Sequence, residues 1–242
     1  MVALGAFLAA AGLADLVRAG KDATSHRRTA AVTVVGVVLL AAILAVGGLR
    51  GVAWWTVALP LAASIALWTV GSASALRPGR SSARGAWRAV AFTGLGAGVL
   101  VAALLAPAGP VEWPAALVGS LTHVRFDLSV AVLGITLAQV ATGNVAVRLV
   151  LDAVGVPAAT NEKRLRSGRI LGPLERVFIV GLGVAGYLTA ASVVVAAKGL
   201  LRFPEIQGSE RDPASPVTEY FLVGSFTSWL FALGSLALTR LA

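Results

Sequence analysis

The chain lacks cysteine and has little charge. None of its 242 residues is cysteine, and only His26 and His123 are histidine. These absences exclude disulfides, cysteine-ligated zinc, iron–sulfur clusters and thiol nucleophiles, and they leave little for a histidine-based metal site. Charged residues make up 13% of the chain and hydrophobic residues 57%, whereas an ordinary soluble domain has about 25% charged residues. The composition therefore excludes a water-soluble globule and indicates an integral membrane protein.

Long apolar runs recur along the chain. A helix needs about 20 apolar residues to cross the roughly 30 Å hydrocarbon core of a bilayer. Seven stretches approach that length: 2–18, 30–49, 52–76, 87–106, 128–151, 174–200 and 217–241. We predict an all-α, polytopic helical membrane bundle of about seven transmembrane helices, with residues 1–242 as a single integral membrane domain. The basic residues near the first stretch follow its apolar core, so we interpret it as a retained helix rather than a signal peptide.

The basic residues segregate to alternate loops, which predicts the orientation. The larger set follows the first, third and fifth stretches and ends the chain: Arg18, Lys21, Arg27, Arg28, Arg77, Arg80, Arg84, Arg88, Arg148, Lys163, Arg164, Arg166, Arg169, Arg176 and Arg240. The opposite loops hold the rest: Arg50, Arg125, Lys198, Arg202 and Arg211. Because loops rich in Lys and Arg stay in the cytoplasm, the N-terminus is predicted outside and the C-terminus inside. The net charge of +9 then faces anionic headgroups, and no nucleic-acid partner is expected.

Three connections are long enough to have structure of their own. Residues 107–127 hold three prolines and a short apolar middle, so we predict an external interfacial or re-entrant segment with Trp113 and Phe126 at headgroup level. Residues 152–173 form a basic cytoplasmic connection, in which we expect Asn161 to cap a short helix that Gly168 stops. Residues 203–216 are polar and rich in turn residues, as in an external loop.

Gly181, Gly183 and Gly186 form a G-x-G-x-x-G pattern. In a dinucleotide-binding site this pattern lies between a strand and a helix of a parallel sheet. Here residues 177–197 carry no charge and no other strand–helix unit accompanies them. We therefore interpret the glycines as small residues that let helices pack closely, like Gly94 and Gly98 in the fourth stretch.

Ionisable residues near the apolar stretches are candidates for pairing or binding. Asn144, Arg148 and Asp152 follow one another at spacings of four, so they lie on one helical stripe. A lipid-facing Arg would cost about 2.5–3.5 kcal/mol near the bilayer centre. We therefore expect Arg148 to face the bundle interior and to pair with Asp152 or Glu175. For Asp15 and Asp127 we expect capping, or pairing with the nearby basic residues Arg18 and Arg125 respectively.

A second charged group lies beyond the sixth stretch. Lys198 and Arg202 share a helical face, Glu205 follows one turn later, and Glu219 opens the last stretch. The four residues either extend to the membrane surface and pair there, or form a headgroup or solute site at the outer boundary. Both interpretations remain open.

Four segments resemble a known family. They are GNVAVRLVL (143–151), SGRILGPLER (167–176), AAKGLLRFPEI (196–206) and TEYFLVGSFTSW (218–229). In this order they resemble the C-terminal half of the uncharacterised DUF3307-type family of bacterial multi-pass membrane proteins. The resemblance covers a little over a third of the chain. It singles out Asn144, Arg148, Gly168, Arg169, Gly172, Glu175, Arg176, Lys198, Arg202, Phe203, Glu205, Glu219, Tyr220 and Ser228.

The chain departs from the family pattern at some positions. Gly199 stands where the family tends to have Ser, and Ser225 with Phe226 replaces a Thr-Leu pair. The N-terminal half matches less well, since only Asp15 and His26 remain to correspond to the His and Asp residues of the family's first helices. The family has no assigned activity, so the resemblance implies site residues more than a function.

Our functional prediction is transport or translocation of a small anionic solute or lipid headgroup across a bacterial cytoplasmic membrane. Arg148, Lys198 and Arg202 would contact the anion, with Glu175, Glu205 and Glu219 as counter-charges or proton carriers. The alternatives are a membrane enzyme that acts on a lipid, with Glu219 or Glu205 as general base, and a non-catalytic partner subunit. We expect membrane lipids and an anionic ligand as partners, a helix–helix oligomer or partner subunit as a further option, and no cofactor or metal. The candidate binding residues are Asn144, Arg148, Arg169, Glu175, Arg176, Lys198, Arg202, Glu205, Glu219 and Tyr220.

Overall fold

A computed structural model describes residues 1–19, 25–77, 83–105, 111–114, 125–156, 168–208 and 216–241. Throughout these ranges the secondary structure is helical and contains no strand. Five continuous helical segments in these ranges are long and apolar enough to cross a membrane. The all-α prediction is therefore confirmed and the chain has the character of a membrane-embedded protein, while the count of seven spans and the orientation stay predictions.

The chain divides into two compact units, Met1–Thr142 and Gly143–Ala242. The described helices of the N-terminal unit are α1 (Val2–Arg18), α2 (His26–Val46), α3 (Gly51–Ala75), α4 (Arg84–Leu105) and α5 (Phe126–Leu137), followed by a π-helical turn at Ala138–Thr142. Those of the C-terminal unit are α6 (Gly143–Ala153), α7 (Gly168–Val184), α8 (Leu188–Gly208) and α9 (Pro216–Leu241). Together α5, the π-turn and α6 form one candidate span, Phe126–Ala153.

Helix α1 is the core of the N-terminal unit. It contacts α2, α3, α4 and α5, and residues 2–12 are all buried. Its glycines allow this, because a Cβ at Gly5 would lie 2.7 Å from the backbone of Val130, and a Cβ at Gly12 would lie 2.7 Å from Leu137. The two contacts advance together along both helices, so α1 and α5 run parallel. The shortest apolar stretch is thus enclosed by protein rather than by lipid.

Small residues also join α4 to the core. A Cβ at Gly94 would meet the backbone nitrogen of Trp68 at 2.7 Å, and a Cβ at Gly98 would collide with the ring of Phe7. The predicted role of these two glycines in close helix packing is therefore confirmed.

In the C-terminal unit, α9 packs against α6 and α7, and α8 contacts α7. The prediction of a single helix over residues 174–200 is wrong. Gly186 has a φ of +87°, a conformation that favours glycine, and the Tyr187 N–H donates to the Leu182 carbonyl at 2.8 Å. This bond, with that of the Gly186 N–H to the Gly183 carbonyl at 3.2 Å, closes the end of α7.

The G-x-G-x-x-G pattern therefore has more than one role. Gly183 does allow close packing, since a Cβ there would lie 2.5 Å from Leu236 of α9, whereas a Cβ at Gly181 would meet nothing within 4 Å. The third glycine, Gly186, ends a helix. The packing interpretation holds for Gly183 and is not supported for the other two.

One expectation for the connections also changes. Gly168, predicted to stop a helix, is instead the first residue of α7. The expected cap at Asn161 lies outside the described residues. Of segment 107–127, the described part includes Trp113, whose ring packs edge-on against Phe126 with centroids 5.0 Å apart.

Candidate functional site

Among the described residues of the C-terminal unit, Arg176 is the most deeply buried cation. The residue lies in α7 and is 1% exposed. Its Nη1 donates a hydrogen bond to Ser228 Oγ of α9 at 2.9 Å, and its Nη2 donates to Asn144 Oδ1 of α6 at 2.6 Å. Three helices thus position one guanidinium, and two of its hydrogen bonds go to neutral side chains.

The position of Ser228 indicates how deep this site lies. Ser228 is close to the middle of the candidate span Glu219–Thr239. Because the Arg176 guanidinium is bonded to Ser228, it lies about halfway along a helix of membrane length. Arg176, which the charge pattern groups with the basic residues around the connection before the sixth stretch, lies in α7 and is buried inside the unit.

Glycine makes room for the guanidinium. A Cβ at Gly143 would lie 2.6 Å from Arg176 Nε and 2.9 Å from its Cζ, and a Cβ at Gly172 would lie 3.6 Å from Nη1. Any larger residue at position 143 would displace an arginine whose two ends are already bonded. Gly143 is therefore a positioning residue for Arg176, which the sequence analysis did not identify.

Glu175 supplies the nearby negative charge. Its side chain is buried, and its charge attracts that of Arg176. Adjacent helical residues do not face each other, so Glu175 acts through its field while Asn144 and Ser228 hold the guanidinium directly. The planar guanidinium that Asn144 and Ser228 orient has the geometry that matches a carboxylate or phosphate.

The structure brings some of the predicted site residues together. Asn144 and Arg176 are in contact, and Glu175 is the residue before Arg176 in α7. Arg148 is half-buried on α6, Glu219 is exposed and Tyr220 is half-buried at the start of α9. The pairing of Arg148 with Asp152 or Glu175 stays a prediction.

Other candidates fall beyond what is described. The side chains of Arg169, Lys198, Arg202 and Glu205 lie outside the described part of the structure, and so does the predicted cluster of the last three with Glu219. Ser228 belongs to the site although it was not among the candidate binding residues. Its only signal in the sequence is the last block of the family resemblance.

The N-terminal unit has a separate buried polar centre. Arg18 Nη2 lies 2.6 Å from Asp15 Oδ1 as an ion pair, and it donates to Ser72 Oγ at 2.8 Å. The Trp68 Nε1–H donates to Asp15 Oδ2 at 2.9 Å. The expected pairing of Asp15 with Arg18 is confirmed, and the α3 partners are new.

A third ionic pair lies at the start of α5. Arg125 Nε and Nη2 donate to the two carboxylate oxygens of Asp127 at 3.0 and 2.6 Å. This hydrogen bonding raises the pKa of the Arg125 guanidinium above its ordinary value. The expected pairing of Asp127 with Arg125 is confirmed.

Comparisons with protein-family models, with curated proteins and with solved structures find no match to this chain. The family resemblance of residues 143–229 accordingly stays a prediction. Within the described ranges, no three His, Asp or Glu side chains gather as a metal-binding group.

Proposed function

We propose that this protein resides in a bacterial cytoplasmic membrane and binds a small anionic solute or an anionic lipid headgroup at Arg176, as a step in moving it across the membrane. The observation that carries the proposal is the buried guanidinium, held by Asn144 and Ser228 about halfway along a helix of membrane length. Charged residues at such depth are costly, and in membrane proteins they mark ligand and ion pathways. Substrate sites of many transporters lie near this level.

The donor geometry favours an oxyanion. The guanidinium has five N–H donors in one plane and matches carboxylate or phosphate oxygens in pairs. Asn144 and Ser228 fix that plane without neutralising it. Glu175 supplies a counter-charge that lowers the cost of the buried cation when no anion is bound. An arriving anion competes with the field of Glu175, so binding remains reversible.

The test reconstitutes the purified protein into liposomes and measures two kinds of movement. One arm follows uptake of inorganic phosphate, and the other follows translocation of a fluorescent phosphatidylglycerol by quenching from outside. We expect one of the arms to exceed protein-free liposomes. In that arm Arg176→Gln should lower the rate at least tenfold, and Arg176→Lys should restore only part of it, because Lys lacks the planar fork.

Arg125→Gln is the matched control, because it removes a cation that is paired with Asp127 at the start of α5. Its rate should equal that of the wild type. Equal rates for Arg176→Gln and the wild type, or no movement in either arm, would refute the proposal. The two arms also identify the source of the anion, solute or lipid.

A further inference from the structure

Helices α7 and α9 run in the same direction. Arg176 of α7 is bonded to Ser228 of α9, and Gly183, seven residues later, packs against Leu236, eight residues after Ser228. Contacts that advance together along both helices occur only when the helices are parallel. By contrast, α6 runs opposite to α9, because Asn144 lies near Ser228 through Arg176 whereas Leu151 lies near Gly224.

Parallel helices require the chain to return between them. With a rise of 1.5 Å per residue, the 17 residues of α7 extend about 25 Å. If α8 stayed at the surface where α7 ends, only residues 209–215 would remain for the return. Seven residues reach at most about 25 Å when fully extended, and an extended backbone cannot satisfy its hydrogen bonds in lipid.

Helix α8 has the length and the contacts for this return. Its 21 residues extend about 31 Å, and it follows α7 after the short turn at Gly186. It contacts α7, with Ala191 buried and Val194 and Val195 half-buried, while Val193 and Leu200 are exposed. Its first ten residues, Leu188–Ala197, are apolar. One face is thus directed to the protein and the opposite side is suited to lipid.

We propose that α8 crosses the membrane beside α7 as the returning arm of a helical hairpin, and that Lys198 thereby lies at the depth of the Arg176 site. Lys198 is twelve residues after Gly186, and Leu174, next to Glu175, is twelve residues before it. In sequence, Lys198, Arg202 and Glu205 follow at the helical spacing of Ala191 and Val195. The hairpin brings a second cation to the level of Glu175.

This topology differs from the one that the basic residues predict. That prediction places residues 203–216 outside and the C-terminus in the cytoplasm. In the hairpin, Gly168 and Pro216 lie on one side of the membrane, and the end of α9 lies on the side of the Gly186 turn. The hairpin depends only on the parallel contacts of α7 and α9, whereas a role for Lys198 in anion binding rests on the proposed function.

Single cysteines in this cysteine-free chain test the hairpin. Thr189→Cys, Ala197→Cys and Gly208→Cys are treated with a membrane-impermeant maleimide, in intact cells and in inside-out vesicles. We expect Thr189→Cys and Gly208→Cys to react from opposite sides. Ala197→Cys should react at least tenfold more slowly than either. Reaction of the two end positions from the same side, or of neither from any side, would overturn the hairpin.

A separate measurement tests the role of Lys198 in anion binding. In whichever liposome arm the wild type is active, Lys198→Gln should lower the rate at least fivefold, with Thr189→Gln as an exposed control on the same helix. Opposite-side labelling with an unchanged Lys198→Gln rate would keep the hairpin and remove Lys198 from the anion site. If the proposed function is wrong, neither liposome arm will show movement above protein-free liposomes, while the cysteine labelling pattern will be unchanged. The failure of the proposed function and the failure of the hairpin are therefore distinguishable.

Discussion

The two units bury charge in different ways. The N-terminal unit buries an ion pair between Asp15 and Arg18, and this pair is hydrogen-bonded to Trp68 and Ser72 of α3. The C-terminal unit buries Arg176 on the neutral oxygens of Asn144 and Ser228. In the N-terminal unit the charge of Arg18 is balanced by the carboxylate of Asp15, which is typical of a structural ion pair. The C-terminal unit orients the guanidinium through two side chains that carry no charge.

Glycine residues also have different roles in the two units. In the N-terminal unit Gly5, Gly12 and Gly134 bring the backbones of α1 and α5 together, and a Cβ at Gly134 would collide with the Gly5 carbonyl. In the C-terminal unit Gly143 instead makes room for a side chain, that of Arg176. Small residues thus serve helix packing in one unit and placement of a charge in the other.

Removal of one partner from the ion pair should give the largest loss of stability. Asp15→Ala leaves Arg18 buried without its carboxylate and Trp68 without its acceptor, so we expect a loss of about 3–5 kcal/mol. Arg176→Met should cost less, because it removes the charge together with its burial cost, takes one donor each from the neutral side chains of Asn144 and Ser228, and takes from Glu175 only the field of the guanidinium. Chemical unfolding in detergent micelles measures both.

The double variant Asp15→Leu/Arg18→Met checks the interpretation. Apolar replacement of a buried pair is often close to neutral, so the double variant should recover most of the stability lost in Asp15→Ala. If Asp15→Ala and Arg176→Met lost the same stability, the distinction between a structural pair and a binding cation would fail.

A smaller effect is expected at Gly143. Gly143→Ala introduces a Cβ 2.6 Å from Arg176 Nε, and overpacking of this kind costs about 1–3 kcal/mol. Gly181→Ala is the control, because its Cβ would meet nothing within 4 Å and Ala favours a helix over Gly by about 1 kcal/mol. In thermal unfolding, Gly143→Ala should therefore have a lower melting temperature than the wild type, and Gly181→Ala a higher one. Two variants that melt alike would show that Arg176 moves aside freely.

The smallest effect is expected at Arg125. Its side chain is half exposed while that of Asp127 is buried, so solvent and salt screen the pair. Arg125→Ala should lower the melting temperature slightly at low ionic strength. At about 1 M salt, where the Debye length is about 3 Å, the difference from the wild type should shrink. A difference that grew with salt would contradict an electrostatic origin.

The parts that the sequence predicted well depend on neighbours along the chain. Apolar length predicts membrane-spanning helices because the thickness of the bilayer is fixed. The Asp15–Arg18 and Arg125–Asp127 pairs follow from residues two or three positions apart. In each case one segment contains all the information needed.

The sequence could not predict contacts set by distant segments. The stripe of Asn144, Arg148 and Asp152 gives no sign that Asn144 accepts a hydrogen bond from Arg176 of another helix. Trp68 reaches Asp15 from α3 in the same way. The pattern of Gly181, Gly183 and Gly186 is equally ambiguous, because glycine serves both close packing and helix ends.

The central place of α1 has a consequence for biosynthesis. This helix is made before the other described helices, and its closest backbone neighbour, α5, follows about 125 residues later, which at 5–20 residues per second is a wait of about 6–25 s. During that interval α1 lacks most of its final contacts. Asp15 and Arg18 lie in the same helix, so they can pair from the start. Helix α1 thus carries the counter-charge for its own arginine until the later helices are made.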